Sequence, residues 1–452
     1  MPSAAAAAEA LSPDDEAMLE GMQRAAFDYF VEHGKRSNGL VADTSRPGSH
    51  ASIAVIGFAL SAYPVGVERG WMKRDEALLR CLATLRFFRD SDQSGKADST
   101  GFHGFYFHFL HMESGRRAWK CEVSLIDTAL LLAGMLTAAA YFTAATTDEA
   151  ALRALVEMLY RRVDWCWAQP DGAAVVHGWK PGSGFLNYGW EGYSEALLLY
   201  ALGLGSPTHA LTDASFPAWT GTYQWENLYG IDFLLAGPLF IHQFSHAWID
   251  FRGIRDRFMR EKHCDYFENS RRATYVQREY AIRNPRSFTG YGEDGWGLSA
   301  GDGPGAPRQR VAGRRQSFYG YAARGVPWGP DDGTLSGPSV LSSLVFAPEL
   351  ALPTLRRMLT RGGAAGGGVT RASGYNDTVH VRPAVAGSVK GPRVTGWVSE
   401  GIFGLDQGMI VLMVENFRSG MLWRLLRDST PIRTGLHRAG FRGGWLAEHA
   451  PR

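Results

Sequence analysis

The chain has 452 residues, 45% of them hydrophobic, enough to bury a large core. Its 47 Lys and Arg stand against 45 Asp and Glu, a net charge of +2, which gives no broad attraction to nucleic acid or an anionic membrane and points to a neutral substrate. Cys81, Cys121, Cys166 and Cys264 lie scattered without CxxC or Cys/His metal spacing, and no run reaches the roughly 20 apolar residues of a membrane span. A soluble monomer with no cofactor and no metal is therefore expected.

Residues 1–13 are rich in Ala through Ala4 to Ala8 and lead into the acidic Asp14, Asp15 and Glu16. They read either as a disordered tail or as the cleavage end of a secretory signal. The expected compartment is periplasmic or extracellular on the second reading and cytoplasmic on the first. Residues 14–452 read as one domain. An amphipathic helix is expected over 14–31, a buried one from Ser52 and a third over 73–88, opened by Asp75 and Glu76. The stretch 101–109, with Phe102, Phe105, Tyr106, Phe107 and Phe109, reads as an aromatic hairpin.

Next comes Trp119, then Glu122 and Ser124, and an almost wholly apolar helix from Leu125 to Phe142, with Asp127 in its first turn. Ser124 and Asp127 make a capping-box pattern, and the helix dipole favours a carboxylate there by about 0.3–1 kcal/mol. Capping is one reading of Asp127; a carboxylate facing a wet cavity at a helix start is the other. A helix over 149–167 follows. The stretch with Trp190, Glu191, Tyr193 and Glu195 then repeats the arrangement, a polar aromatic mouth entering the apolar helix 196–204.

Trp225 lies in a further aromatic loop, the stretch 241–251 carries His242, His246 and Asp250, and a long charged helix is expected over 254–282. The Gly-rich loops around Glu293, Trp296, Asp332 and Asp377 come next, and Leu405-Asp406-Gln407 enters a last apolar helix. About a dozen helices joined by acidic, aromatic loops, with no alternation long enough for a large sheet, imply an all-α fold. An (α/α)6 barrel with long rim loops accounts for both the helix count and the acidic loops.

A neutral, hydroxyl-rich substrate held by Trp and Tyr near several carboxylates fits glycosidic bond cleavage, which needs one carboxylic acid and one carboxylate. Glu191 and Glu195, four residues apart, are expected on one helical face, where repulsion or burial would raise one pKa. The other acidic candidates are Glu122, Asp127, Glu293, Asp332, Asp377 and Glu400, and the stacking candidates are Trp119, Tyr193, Trp225 and Trp296. His103, His108 and His111 lack the helical His pair and acid of a zinc hydrolase. There is no GxSxG elbow.

Several segments carry a resemblance. Gly39-Leu40-Val41-Ala42-Asp43, Ile126-Asp127-Thr128-Ala129, Gly192-Tyr193-Ser194-Glu195-Ala196, Gly292-Glu293-Asp294-Gly295-Trp296 and Gly329-Pro330-Asp331-Asp332-Gly333 resemble the bacterial glucoamylase-like domain, and within it the β-1,2-glucanases of glycoside hydrolase family 144. The similarity runs from about Phe27 to Leu425. It implies an (α/α)6 barrel, no metal, and hydrolysis of β-1,2-glucan with inversion. It places the general acid on Glu195 and an acidic residue of the catalytic centre on Asp127, with Glu122 beside it in a segment that departs from the family pattern. An oligo- or polysaccharide is the implied partner. A transglycosylating or exo-acting enzyme, or a glucan-binding protein without catalysis, are the alternatives on the same barrel.

Overall fold

The computed structural model describes residues 11–447 apart from 289, 306–308, 312–313, 365–369, 372–373, 376–377 and 381–398. The Ala-rich stretch 1–10 and Asp377 therefore lie outside the described residues. About 48% of the chain is helical. Helices α1 (Pro13–Glu32), α2 (Ile53–Glu68), α3 (Arg74–Asp90), α4 (Leu125–Tyr141), α5 (Thr147–Arg162) and α6 (Leu197–Leu204) make the first half. The second half holds α7 (Ser215–Thr220), α8 (Arg257–Glu261), α9 (Tyr266–Arg283), α10 (Gly337–Ser342), α11 (Pro348–Ala364) and α12 (Gly404–Arg418), then the short α13 (Met421–Arg427), α14 (Thr430–Arg438) and α15 (Gly444–Ala447).

Helices α2, α4, α6 and α12 are buried almost all round, as their unbroken apolar sequences require, whereas α1, α3, α5 and α9 keep exposed faces. Helix α2 packs between α4 and α12, α4 also meets α6, and α10 packs on α12. The contact of α2 with α4 is close enough to exclude side chains. A methyl group on Gly57 would fall 2.3 Å from the Leu130 carbonyl oxygen, and one on Gly134 2.0 Å from that of Gly57. On the outside, α1 lies against α12, α3 against α5, and α14 against α6.

The stretch carrying His242 and His246 forms two 3-10 turns, Leu239–His242 and Phe244–Ala247. One expectation changes in detail. The charged helix expected over 254–282 breaks after Glu261, where His263 adopts φ +52°, and restarts at Tyr266 with Asp265 accepting a hydrogen bond from the Glu268 N–H. The expected hairpin forms as Gly101–Phe102 against Phe105–Phe107 and extends into a five-stranded sheet. Its further strands are Val123–Ser124, Gly178–Lys180 and Gly184–Phe185, all antiparallel. That sheet ends where α4 begins.

Candidate active site

The junction of sheet and helix sets the first half of the site. Phe107 pairs with Val123 in the antiparallel register, so His108 and Glu122 stand opposite each other one step further on, and the His108 N–H donates to the Glu122 carbonyl at 3.0 Å. Their side chains meet as well, with His108 Nδ1 3.0 Å from Glu122 Oε1. Two residues after Glu122, Ser124 caps α4 by accepting from the Asp127 N–H. Its hydroxyl also donates to Asp127 Oδ2. His108 Nε2 lies 3.5 Å from that same oxygen. Asp127 is thus tied to the cap through the Ser124 hydroxyl and is also a cavity carboxylate, as it faces the cavity described below.

Glu195 enters from another direction. Residues 191–196 are turns, with Gly192 at φ +72°, and α6 starts only at Leu197. Ser245 pins this turn: its hydroxyl donates to the Glu195 carbonyl at 3.0 Å and accepts from the Leu198 N–H at 3.1 Å. The Glu195 side chain faces the same cavity as Asp127.

That cavity measures about 680 Å³, within the usual range for a small-ligand site. Helix starts and rim loops supply its polar groups: Asp43 and Arg46, His108, Asp127, Glu195, Asp302 and Asp406. Phe240 and Phe244 from the 3-10 turns, Phe403, Tyr321 and Trp119 supply its aromatic wall. Trp119 is 63% exposed and rests on His50 and Phe109, with ring centroids 4.4 and 4.9 Å away. Its φ of +52° and that of Lys120, +53°, are unusual for residues with side chains; such strain typically costs about 1–3 kcal/mol per residue and often marks functional positions. Across the cavity, Arg46 pairs with Asp302, which also accepts from the Ser399 hydroxyl at 3.1 Å.

The electrostatics separate these acids. Burial first, and the Asp127 charge after it, push the Glu195 carboxyl up to about 7, so near neutral pH it holds its proton much of the time. Burial first and Asp127 next also push Asp43 up to about 6, against the opposing charges of His108 and Arg46. Glu122 goes the other way, to about 2, because His108 donates to it. Burial alone would lower the His108 pKa; Asp127, Glu122 and Asp43 outweigh it and raise it to about 9. The result is a proton-bearing acid, several carboxylates and one imidazolium around a single cavity.

Of the residues expected from sequence, Glu195, Asp127 and Trp119 line this cavity, and Glu122 reaches it through His108. The other described candidates lie elsewhere. Glu191 is exposed, and the turn at Gly192 separates it from Glu195 where a shared helical face was expected. Glu293 is exposed and faces Arg278 at 3.5 Å. Trp296 is fully buried and its indole N–H donates to Thr354, so it is core rather than a sugar platform. Asp332, also fully buried, is bound by Arg324 at 2.8 Å. Tyr193 stacks on Tyr266 at 5.7 Å, and Trp225 lies under the Lys262 ammonium at 5.5 Å; neither lines the cavity.

Sequence reasoning passed over Asp43, Arg46, His108, Asp302 and Asp406. A signal existed for Asp406, in the first turn of α12 ahead of a wholly apolar run, the same placement as Asp127. Among the described residues, no group of three or more His, Cys, Asp or Glu could hold a metal ion.

An acid poised near neutrality beside a second carboxylate, in an aromatic-walled cavity, is the working arrangement of a glycoside hydrolase. The family model described as "Putative glucoamylase" matches residues 187–430, and the chain belongs to that family. A solved structure of the same description from Bacteroides uniformis is 28% identical, superposes with a TM-score of 0.83, and covers 97% of this chain and 100% of that one. An endo-β-1,2-glucanase of Chitinophaga pinensis, solved with sophorotriose and glucose, is 26% identical with a TM-score of 0.81, covering 96% and 100%. An exo β-1,2-glucooligosaccharide sophorohydrolase of Parabacteroides distasonis is 25% identical over 94% of this chain, which spans 58% of that protein's length. No helix among the described residues is long and apolar enough to cross a membrane.

Proposed function

We propose that this chain hydrolyses β-1,2-glucan with inversion at the anomeric carbon, with Glu195 as the general acid. The observation that carries the reading is Glu195 itself, a carboxyl raised to about 7 that faces a cavity beside Asp127. In its protonated form Glu195 donates to the glycosidic oxygen as the bond to the anomeric carbon breaks. A cavity carboxylate then takes a proton from the water that attacks the opposite face. Asp127 holds the reacting sugar or this water, and Asp43 and Asp406 line the same cavity as further candidates for the base. Trp119 offers a stacking surface at the rim.

A closed ring of inner helices is part of the same reading. It is supported by the succession of neighbours α12, α2, α4 and α6, by the Ser245 link from α6 to the 3-10 turns, and by Gln243 donating to the Ser339 carbonyl of α10 at 2.7 Å. The protein is proposed to act as a monomer, which light scattering would check.

The test is incubation with linear β-1,2-glucan, with Glu195→Gln as control. Release of β-1,2-linked oligosaccharides whose first-formed anomer, read by proton NMR, is the α form supports the proposal. Glucan binding by calorimetry without product over long incubation, or an initial β anomer, overturns it in favour of a binding protein or a retaining enzyme respectively. Chemical rescue by azide of Asp127→Ala, Asp43→Ala or Asp406→Ala identifies the base, since a small anion can replace only the group that serves the attacking water.

A further inference from the structure

We infer that His108 is a positioning residue of the reaction, an imidazolium that, together with Ser124, fixes one oxygen of Asp127 and leaves the other to the substrate. The inference rests on the hydrolytic reading above. Its geometric basis is that both protein partners of the Asp127 side chain converge on Oδ2: the Ser124 hydroxyl donates to it, and His108 Nε2 stands 3.5 Å away. Among the described residues Oδ1 takes no hydrogen bond, while the side chain lines the cavity. A buried carboxylate oxygen left open toward a wet cavity is available to a sugar hydroxyl or a water.

The other side of the ring explains why His108 can hold this position. Nδ1 faces Glu122 Oε1 at 3.0 Å, and the ring stacks on Phe109 with centroids 3.9 Å apart. Both nitrogens therefore face carboxylates, an arrangement that only the doubly protonated ring satisfies as a donor on both sides. The charged groups around it are Glu122 just before the strand Val123–Ser124, Asp127 from α4 and Asp43 from the 43–49 loop, with Arg46 acting in turn on Asp43. Three acids favour the cation and together outweigh the burial that opposes it. Glu122 is accordingly the counter-anchor of His108, one step removed from the sugar, rather than a base.

The role is separable from a structural one by titration. In carbon-13-labelled histidine NMR, the His108 ring resonance, assigned by its loss in His108→Asn, is expected to titrate near 9 in the unliganded protein. In Glu122→Gln its proton affinity should fall about tenfold or more with loss of one of the two facing carboxylates. Activity should follow. The kcat/KM of the unmodified enzyme falls above about pH 7 as Glu195 ionises and steepens near pH 9 as His108 loses its proton; in Glu122→Gln the steepening moves to lower pH. His108→Asn should lower kcat about 100-fold, the scale of a misplaced reacting group, with KM within about twofold. A His108 titration that ignores Glu122→Gln, or a kcat unchanged in His108→Asn, overturns the assignment. An unmodified protein that turns over no β-1,2-glucan refutes the hydrolytic reading instead, and the NMR titration still reads the His108 contacts independently.

Discussion

Asp127 and Asp332 are both buried carboxylates, one in the first turn of a buried helix and one shortly before such a helix, and their surroundings differ in one respect. Asp332 receives the Arg324 guanidinium through Nε at 2.8 Å and Nη2 at 3.0 Å, and the N–H groups of Tyr319 and Thr334 at 3.0 and 3.1 Å. Asp331 beside it is held by the Tyr280 and Tyr291 hydroxyls at 2.8 and 2.7 Å and by the Gly333 N–H. Every oxygen there is occupied by the protein. Around Asp127 the two partners share Oδ2, and Glu195 nearby has no ion-pair partner among the described residues, while burial and the Asp127 charge keep its proton on. A buried acid with complete partners ties loops together; one with incomplete partners keeps capacity for a substrate.

The contrast can be broken at either end. The largest effect is expected at Glu195→Gln, which keeps the shape and removes the proton: kcat should fall by about 10²–10⁴-fold with folding unchanged, read by product release and circular dichroism. In the unmodified enzyme the same group predicts a loss of activity as pH rises through about 7, because the acid form is the working one. At the other end, Arg324→Ala strips the guanidinium from the buried Asp332 and should cost about 3–5 kcal/mol in a denaturant melt, while the folded fraction retains its kcat. Asp127→Asn sits between the two. A loss of about 100-fold in kcat with little change in melting temperature is expected, and the reverse pattern would make it a structural acid like Asp332. The smallest effect belongs to Trp119→Ala, a rise in KM equivalent to about 1 kcal/mol of lost stacking, measured with oligosaccharides of increasing length.

The same contrast explains what was legible beforehand. Asp127 could be singled out because a carboxylate in the first turn of an all-apolar helix is anomalous wherever it points, and Glu195 because it stands just before α6. The Trp119 ring at the rim was legible too, as an aromatic between charged residues. Asp332 looked equivalent because nothing local distinguishes a loop acid that Arg324, eight residues upstream, will neutralise. Trp296 looked like a sugar platform for a similar reason: glycines flank it whether its ring faces solvent or Thr354. Asp43 and Asp302 were illegible for the opposite reason, since each gains its meaning from segments far away in sequence, and His108 gains its own from a strand register that places it opposite Glu122. The helical content followed from apolar periodicity. The 3-10 turns at 239–247 did not, because their apolar spacing is also compatible with an α-helix.

The seam between α2 and α4 has a consequence for anyone wishing to alter this protein. Gly134 lies seven residues along α4 from Asp127, about 10 Å at helical rise, and neither it nor Gly57 has room for a single carbon. A stiff helix is a lever: wedging its middle away from α2 tilts its start, and the carboxylate there moves with it. Libraries aimed at new chain-length preference therefore belong in the 43–49 loop and around Tyr321, where the wall can change without moving the hinge point. Alanine at Gly57 or Gly134 would act as a remote brake on turnover, applied from the far side of the seam without touching the sugar.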